Sequence, residues 1–143
     1  MNEHGSSLIP SLCYEDATAA IEWLKEAFGF KALLVVPGEG RAVIHSQLQS
    51  PEGNGMIMVF TNRNDPDGLR PPAVDGGASQ ALYLVITDVE AHYARAKAAG
   101  ATIVLEPVAQ EDRGLLYTCR DPEGHTWNFG EYNPWDGPQS ATP

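Results

Sequence analysis

Apolar residues recur along this chain with two different periods. Within residues 17–28, Ile21, Leu24 and Phe28 return at steps of three and four, while Glu22, Lys25 and Glu26 fall away from that stripe. The spacing predicts an amphipathic helix over 17–28, with Asp16 as N-cap and Gly29 as the C′ residue. Residues 8–14 form a short apolar run that reads as a strand if Pro10 sits near its start or on an edge. Residues 30–36 and 41–49 read as a hairpin around Pro37-Gly38-Glu39-Gly40. Alternation in its second arm places Val43, His45, Gln47 and Gln49 on one face and Ala42, Ile44, Ser46 and Leu48 on the other. A Pro-Glu-Gly turn over 50–55 then leads into a strand over 56–61.

The same order of elements returns. Residues 80–87 alternate as a strand, with Ala81, Tyr83 and Val85 on one face and Leu82, Leu84 and Ile86 on the other. Asp88 is positioned to cap a second helix that carries Glu90 in its first turn, Arg95 and Lys97 toward its end, and Gly100 as its stop. Strands over 102–105, 115–120 and 126–132 complete the second set. Gly29 and Gly100, Pro51 and Pro122, and Gly53 and Gly124 each lie 71 positions apart, and the caps Asp16 and Asp88 lie 72 apart. Landmarks in one order at one offset predict a duplicated unit. The expected architecture is α+β, two tandem βαβββ modules in a single domain spanning 1–143: module 1 about 7–62, a Pro/Gly/Asp-rich linker over 63–79, module 2 about 80–132, and a tail over 133–143. A linker that long in a compact domain joins two units or covers a site.

Composition narrows the partners. Nineteen acidic against nine basic residues give a formal charge of −10, with no cluster of Lys or Arg, so nucleic acid is not an expected partner and a cationic ligand is favoured. No apolar run approaches the roughly 20 residues needed to span a bilayer, and the first residues lack the pattern of a signal peptide, so neither a membrane partner nor export is expected and the default location is cytoplasmic. Cys13 and Cys119 read as buried free thiols, with a disulfide or a nucleophile as the alternatives. Gly38-Glu39-Gly40 and Gly76-Gly77-Ala78-Ser79 lack the rest of a dinucleotide or phosphate loop and read as turns.

Three stretches carry a family resemblance: Asp121-Pro122-Glu123-Gly124-His125-x-Trp127-Asn128-Phe129-Gly130; Ile9-Pro10-Ser11-Leu12 with Ala20-Ile21-Glu22-Trp23-Leu24 downstream; and Asp88-Val89-Glu90-Ala91-His92-Tyr93. Together they resemble the vicinal oxygen chelate superfamily, which includes glyoxalase I, extradiol dioxygenases, fosfomycin-resistance enzymes and bleomycin-binding proteins. The resemblance implies curled mixed sheets around an open cavity, in a homodimer with the cavity near the interface. In the enzymes of that family, His, Gln or Glu on the first and last strands of each module hold a divalent metal that chelates two neighbouring substrate oxygens. Carried onto this chain, those positions fall at Ile9, Ala81, Ile57 or Met58, and Asn128, none a good ligand for such a cation.

Because the chain departs from the family at those metal positions, the expectation is a binding protein similar to the drug-sequestering members of the family, with no metal, no cofactor and no assigned catalytic residue, taking a small cationic or aromatic molecule. The site residues it implies are His45, Gln47, Met58, Tyr83 and Asn128, with Glu131 and Trp135 at the rim. His45 and Asn128 would orient the ligand, and Tyr83 and Met58 would pack on it. Trp135 is expected on the sheet edge, on a partner subunit or at the cavity mouth. Two alternatives stay open: a metal-dependent lyase or dioxygenase with an atypical set drawn from His45, Gln80, His125 and Glu131, and a dimeric scaffold without a ligand.

Overall fold

Asp16 and Asp88 each accept a hydrogen bond at 3.0 Å from the amide three residues on, Ala19 and Ala91, and so start the two helices that the sequence predicts. The computed structural model describes residues 5–72 and 78–137, so part of the expected linker and most of the tail lie outside the described residues. The order is β1 (Ser11–Tyr14), α1 (Ala17–Phe28), β2 (Lys31–Pro37), β3 (Val43–Gln49), β4 (Met56–Thr61), β5 (Ala81–Val85), α2 (Val89–Ala98), β6 (Thr102–Gln110), β7 (Gly114–Arg120), β8 (Thr126–Gly130) and a 3₁₀ turn (Pro134–Asp136). The strands form two sheets of identical topology, β1-β4-β3-β2 and β5-β8-β7-β6. In each, the first strand runs parallel to the last and the others pair antiparallel. Among the described residues no helix is long and apolar enough to cross a membrane.

Three strands differ from the pattern-based expectation. β1 starts only at Ser11, because Pro10 has no N–H to offer the ladder; its carbonyl instead accepts from the Met58 amide at 2.9 Å, and Leu8 and Ile9 stay outside the sheet. β6 runs on to Gln110 past Glu106 and Pro107, where the apolar pattern stops. It is an edge strand, which tolerates proline, and irregular pairing between Leu105 and Val108 absorbs the break. In β3 the pairing slips between Val36 opposite His45 and Pro37 opposite Val43. That bulge reverses the phase, so Val43 is buried with Ser46 and Leu48 while His45, Gln47 and Gln49 keep the other face. Ser46 then holds β4 through its hydroxyl, which donates to Val59 O at 2.6 Å and accepts from Val59 N at 3.0 Å.

The two modules hold each other at both ends of their helices. The Pro-Glu-Gly turn of module 2 extends Glu123 to the start of α1, accepting from Glu15 N at 2.6 Å and Asp16 N at 2.9 Å. The equivalent Glu52 of module 1 accepts from Thr87 N at 3.1 Å, just ahead of α2. Each carboxylate meets the positive end of the other module's helix. At the C-terminal ends, Trp23 Nε1 donates to Ala99 O at 2.8 Å, while Arg95 donates to Glu26 O at 2.7 Å and Lys25 O at 3.0 Å. Gly29, at φ +84°, lets this happen: a Cβ there would sit 3.1 Å from Arg95 Nη1 and 3.2 Å from Pro51 Cβ. His92 bridges the same seam, accepting at Nδ1 from the Tyr117 hydroxyl (2.6 Å) and donating from Nε2 to Phe28 O (3.1 Å). Its burial lowers the imidazole pKa and keeps the ring neutral for that role.

One core spans both modules. Phe28 of α1 packs at 5.2 Å on Trp127 and 4.7 Å on Phe129, both on β8 and both fully buried. Large aromatics buried this way contribute about 1.5–3 kcal/mol each. Asp121 fixes the edge of this core. Its carboxylate is 3% exposed and accepts from Glu123 N, His125 N, Tyr14 Oη and Trp127 Nε1. Burial, and then the Asp121 charge, hold the Tyr14 phenol protonated as a donor. Removing the carboxylate strands all of these donors in a dry site. Asp121→Ala should therefore lower unfolding free energy by about 3 kcal/mol, measured by urea denaturation; a loss under about 1 kcal/mol would show that Asp121 does not anchor the seam.

Candidate functional site

Each sheet buries one face on the helices and leaves the other open. On module 1 the open face carries Ser11 of β1 opposite Met58 of β4, with Phe60 beyond and His45 and Gln47 on β3. The candidate last-strand position is thus Met58, because Ile57 is buried on the helix side. His45 Nε2 lies 2.9 Å from Gln47 Oε1, an acceptor, so Nε2 carries the proton and Nδ1 is left to accept. His45, Met58, Phe60 and Ile44 line a cavity of about 250 Å³ whose remaining wall comes from residues 63–69 of the linker; no residue of module 2 takes part.

On module 2 a row runs across three strands: Tyr83 of β5 opposite Asn128 of β8, and Asn128 opposite Thr118 of β7. Thr118 Oγ1 donates to Asn128 Oδ1 at 2.6 Å, while Asn128 Nδ2 reaches Leu82 O only at 3.5 Å. The amide nitrogen is therefore the part of Asn128 with donor capacity to spare. Tyr83 donates to Tyr132 O at 2.6 Å and lies over Gly130, where any Cβ would collide with its phenol oxygen. Burial raises the Tyr83 pKa, so it stays a neutral phenol at neutral pH.

The structure thus brings together His45, Gln47 and Met58 on one open face and Tyr83 and Asn128 on another. It gives the other two expected residues different roles. Glu131, expected at the rim, is half-buried and accepts from Leu115 N at 3.0 Å and Val89 N at 3.3 Å, tying β8 to β7 and to the start of α2. Trp135, expected at the rim, is 84% exposed. Pattern reading missed Phe60 and Thr118, and left open whether the linker joins two units or covers a site. Phe60 and Thr118 could have been found by extending the strand alternation from Met58 and across from Asn128, whereas nothing in the linker's composition tells where it folds.

The donor set does not suit the divalent metal that the resemblance implies. Among the described residues no three His, Cys, Asp or Glu side chains converge. The cross-strand neighbours of Met58 and Asn128 are Ser11 and Tyr83, neutral hydroxyls rather than imidazole or carboxylate. The atypical set is dispersed: His45 lines the module 1 cavity, Gln80 and His125 line a separate one of about 370 Å³, and Glu131 is engaged as above. His125 is also committed, its Nε2 on Cys13 O at 2.8 Å and its ring 4.6 Å from that of Tyr14.

Comparisons with known proteins agree with this fold. A protein of Mycobacterium tuberculosis strain H37Rv that carries no assigned function is 35% identical over 133 residues, covering 87% of this chain and 74% of its own. Its counterpart in Mycobacterium bovis is 35% identical, with 87% of this chain and 82% of its own covered. The crystal structure of TioX from Micromonospora sp. ML1 superposes with a TM-score of 0.69 at 33% identity, covering 90% of this chain and 100% of that one. The fosfomycin resistance protein FosX of Listeria monocytogenes, solved with Mn(II), shares the fold alone, at TM-score 0.66 and 14% identity over 94% of each chain. The family model described as Glyoxalase/Bleomycin resistance protein/Dioxygenase superfamily matches residues 9–129, which takes in both βαβββ modules. A duplicated unit with the same strand order in each half, matched from end to end, has one assignment: the chain belongs to the glyoxalase/bleomycin resistance protein/dioxygenase superfamily.

Proposed function

We propose that this protein binds a small aromatic or apolar molecule without a metal, and that two copies of the chain together close the binding cavities. The observation that carries the reading is the chemistry of the open faces. They combine apolar surface from Met58 and Phe60 with hydrogen-bonding groups on His45, Gln47, Tyr83, Thr118 and Asn128, and among the described residues no three His, Cys, Asp or Glu side chains converge to hold a metal. Such a surface holds a ligand by burying area and orients it with a few placed polar atoms. On the module 1 face His45 Nδ1 would accept from a ligand and Met58 would pack against its body; on the module 2 face Asn128 Nδ2 would donate and Tyr83 would pack.

The need for a second copy rests on exposed apolar side chains. Leu33, Leu34 and Val35 on β2 and Val104, Leu105 and Val108 on β6 are all between 41% and 51% exposed, on the edge strand of each sheet. Leu33 and Val104, like Leu34 and Leu105, are equivalent positions of the duplicated unit, 71 apart. Matching apolar edges on both modules of one chain fit a symmetric pairing of two chains. Trp135, expected on a partner or at the cavity mouth, remains at one of those places in this reading.

Ligand capture is measured by a thermal-shift screen over aromatic metabolites and antibiotics. A ligand present at 100 times its Kd adds about 2.7 kcal/mol of stability, and the His45→Ala, Asn128→Ala double variant should fold, by circular dichroism, yet lose that shift. A screen in which nothing raises the melting temperature would remove the binding reading. Elemental analysis after exposure to Mn, Fe, Ni and Zn separates binding from the lyase or dioxygenase alternative, since stoichiometric metal would favour the latter. Light scattering on the eluting protein should give twice the 15.4 kDa chain mass, and Leu34→Glu with Leu105→Glu should return it to the monomer. A monomeric parent protein would exclude shared cavities.

A further inference from the structure

The linker does more than join the modules. Its first residues are tied back over the open face of module 1. Asn62 N donates to Tyr14 O at 2.8 Å, Asn62 Nδ2 to Glu15 at 2.8 Å, and Cys13 Sγ to Leu69 O at 3.7 Å, while a turn closes through Gly68 N to Asp65 O at 3.1 Å. The result is the cavity of about 250 Å³, walled in this chain by module 1 and the linker, with Ile44, Met58, Phe60 and Leu69 as its apolar lining.

One cation is fixed in that lining. The Arg63 guanidinium stands 4.7 Å from the centroid of the Phe60 ring and donates from Nη2 to Ile44 O at 3.2 Å. These contacts hold its plane and use one N–H of the fork, and Arg63 lines the cavity with its other donors outside those contacts. Among the described residues the ion pairs within 4 Å belong to Lys25 and Arg41, and no carboxylate of those residues pairs with Arg63. Asp65 lines the same cavity but makes no ion pair with it. The chain's charge of −10 favours cations at long range, yet at physiological salt exposed charges are screened beyond about 8 Å. Within the cavity, a guanidinium fork at contact distance outweighs them.

We propose that Arg63 makes this cavity selective for ligands whose aromatic or aliphatic body carries a carboxylate or another singly charged anionic group. The body would fill the space beside Phe60, Met58 and Leu69, and the anion would accept from the Arg63 fork. This inference rests on the small-molecule binding reading and names the ligand class of the module 1 cavity. A preorganised cation matters here because ordering a free arginine on binding would offset much of the contact.

The experiment is isothermal titration of 2-naphthoate, 2-naphthamide and 2-naphthylmethylamine into the wild-type protein, Arg63→Gln and Arg63→Lys, with circular dichroism to show that each folds. Arg63 is exposed, so the substitutions should leave the fold intact. The expected result is that the acid binds about tenfold more tightly than the amide, and that added salt narrows this preference. In Arg63→Gln the preference should vanish while amide affinity is unchanged, and Arg63→Lys should keep part of it. If acid and amide bind alike, or the amine binds best, the inference falls while binding stands. It also falls if Arg63→Gln loses the amide as well, since Arg63 would then only brace the cavity wall. Failure of all three probes to bind overturns it too, and the broad screen then decides the binding reading separately.

Discussion

Glu52 and Glu123 occupy equivalent positions in the two modules, and each reaches across to the helix start of the other. That exchange is the constraint on which the rest of the structure depends. A helix start presents unpaired N–H groups that must be satisfied, and here the partner module satisfies them. The seam closes at the other helix ends too, through Trp23 on Ala99 O and Arg95 on the last carbonyls of α1. Because the polar ends are paired in this way, Phe28 can enter the core beside Trp127 and Phe129 without leaving backbone groups stranded.

The duplication is not strict, and the differences follow what each copy must do. At the turn preceding the last strand, module 2 has Asp121 accepting from Tyr14 and Trp127, whereas module 1 has Ser50, whose hydroxyl only closes its own turn through Glu52 O and Gly55 N. The buried carboxylate is needed once, where Tyr14 crosses the seam. The open faces have diverged further. One presents imidazole, amide and thioether with a linker wall; the other presents phenol, amide and hydroxyl in a row. The fold is shared with FosX, solved with Mn(II), but fold alone does not fix function.

The local charge of a cavity also departs from that of the whole chain. This acidic protein carries an arginine on Phe60, in a cavity to which its linker contributes a wall. Long-range potential and contact chemistry act on different length scales, and the second governs which ligand stays.

The sequence by itself determined the elements and their order. Apolar spacing and the Asp caps located α1 and α2, and the 71-residue offset of Gly29, Pro51 and Gly53 revealed two copies of one unit. On β8 the structure buries Trp127 and Phe129 and leaves Asn128 on the other face, as alternation along a short regular strand requires. Only the tertiary structure decided what depends on contacts between distant segments. The bulge that turns Val43 inward is set by pairing with β2; Glu131 is consumed by Leu115 and Val89; and residues 63–69 become a cavity wall through Tyr14, Cys13 and Ile44. A pattern of single residues records which face of a strand is apolar, but not which hydrogen-bonding groups meet once two modules close on each other.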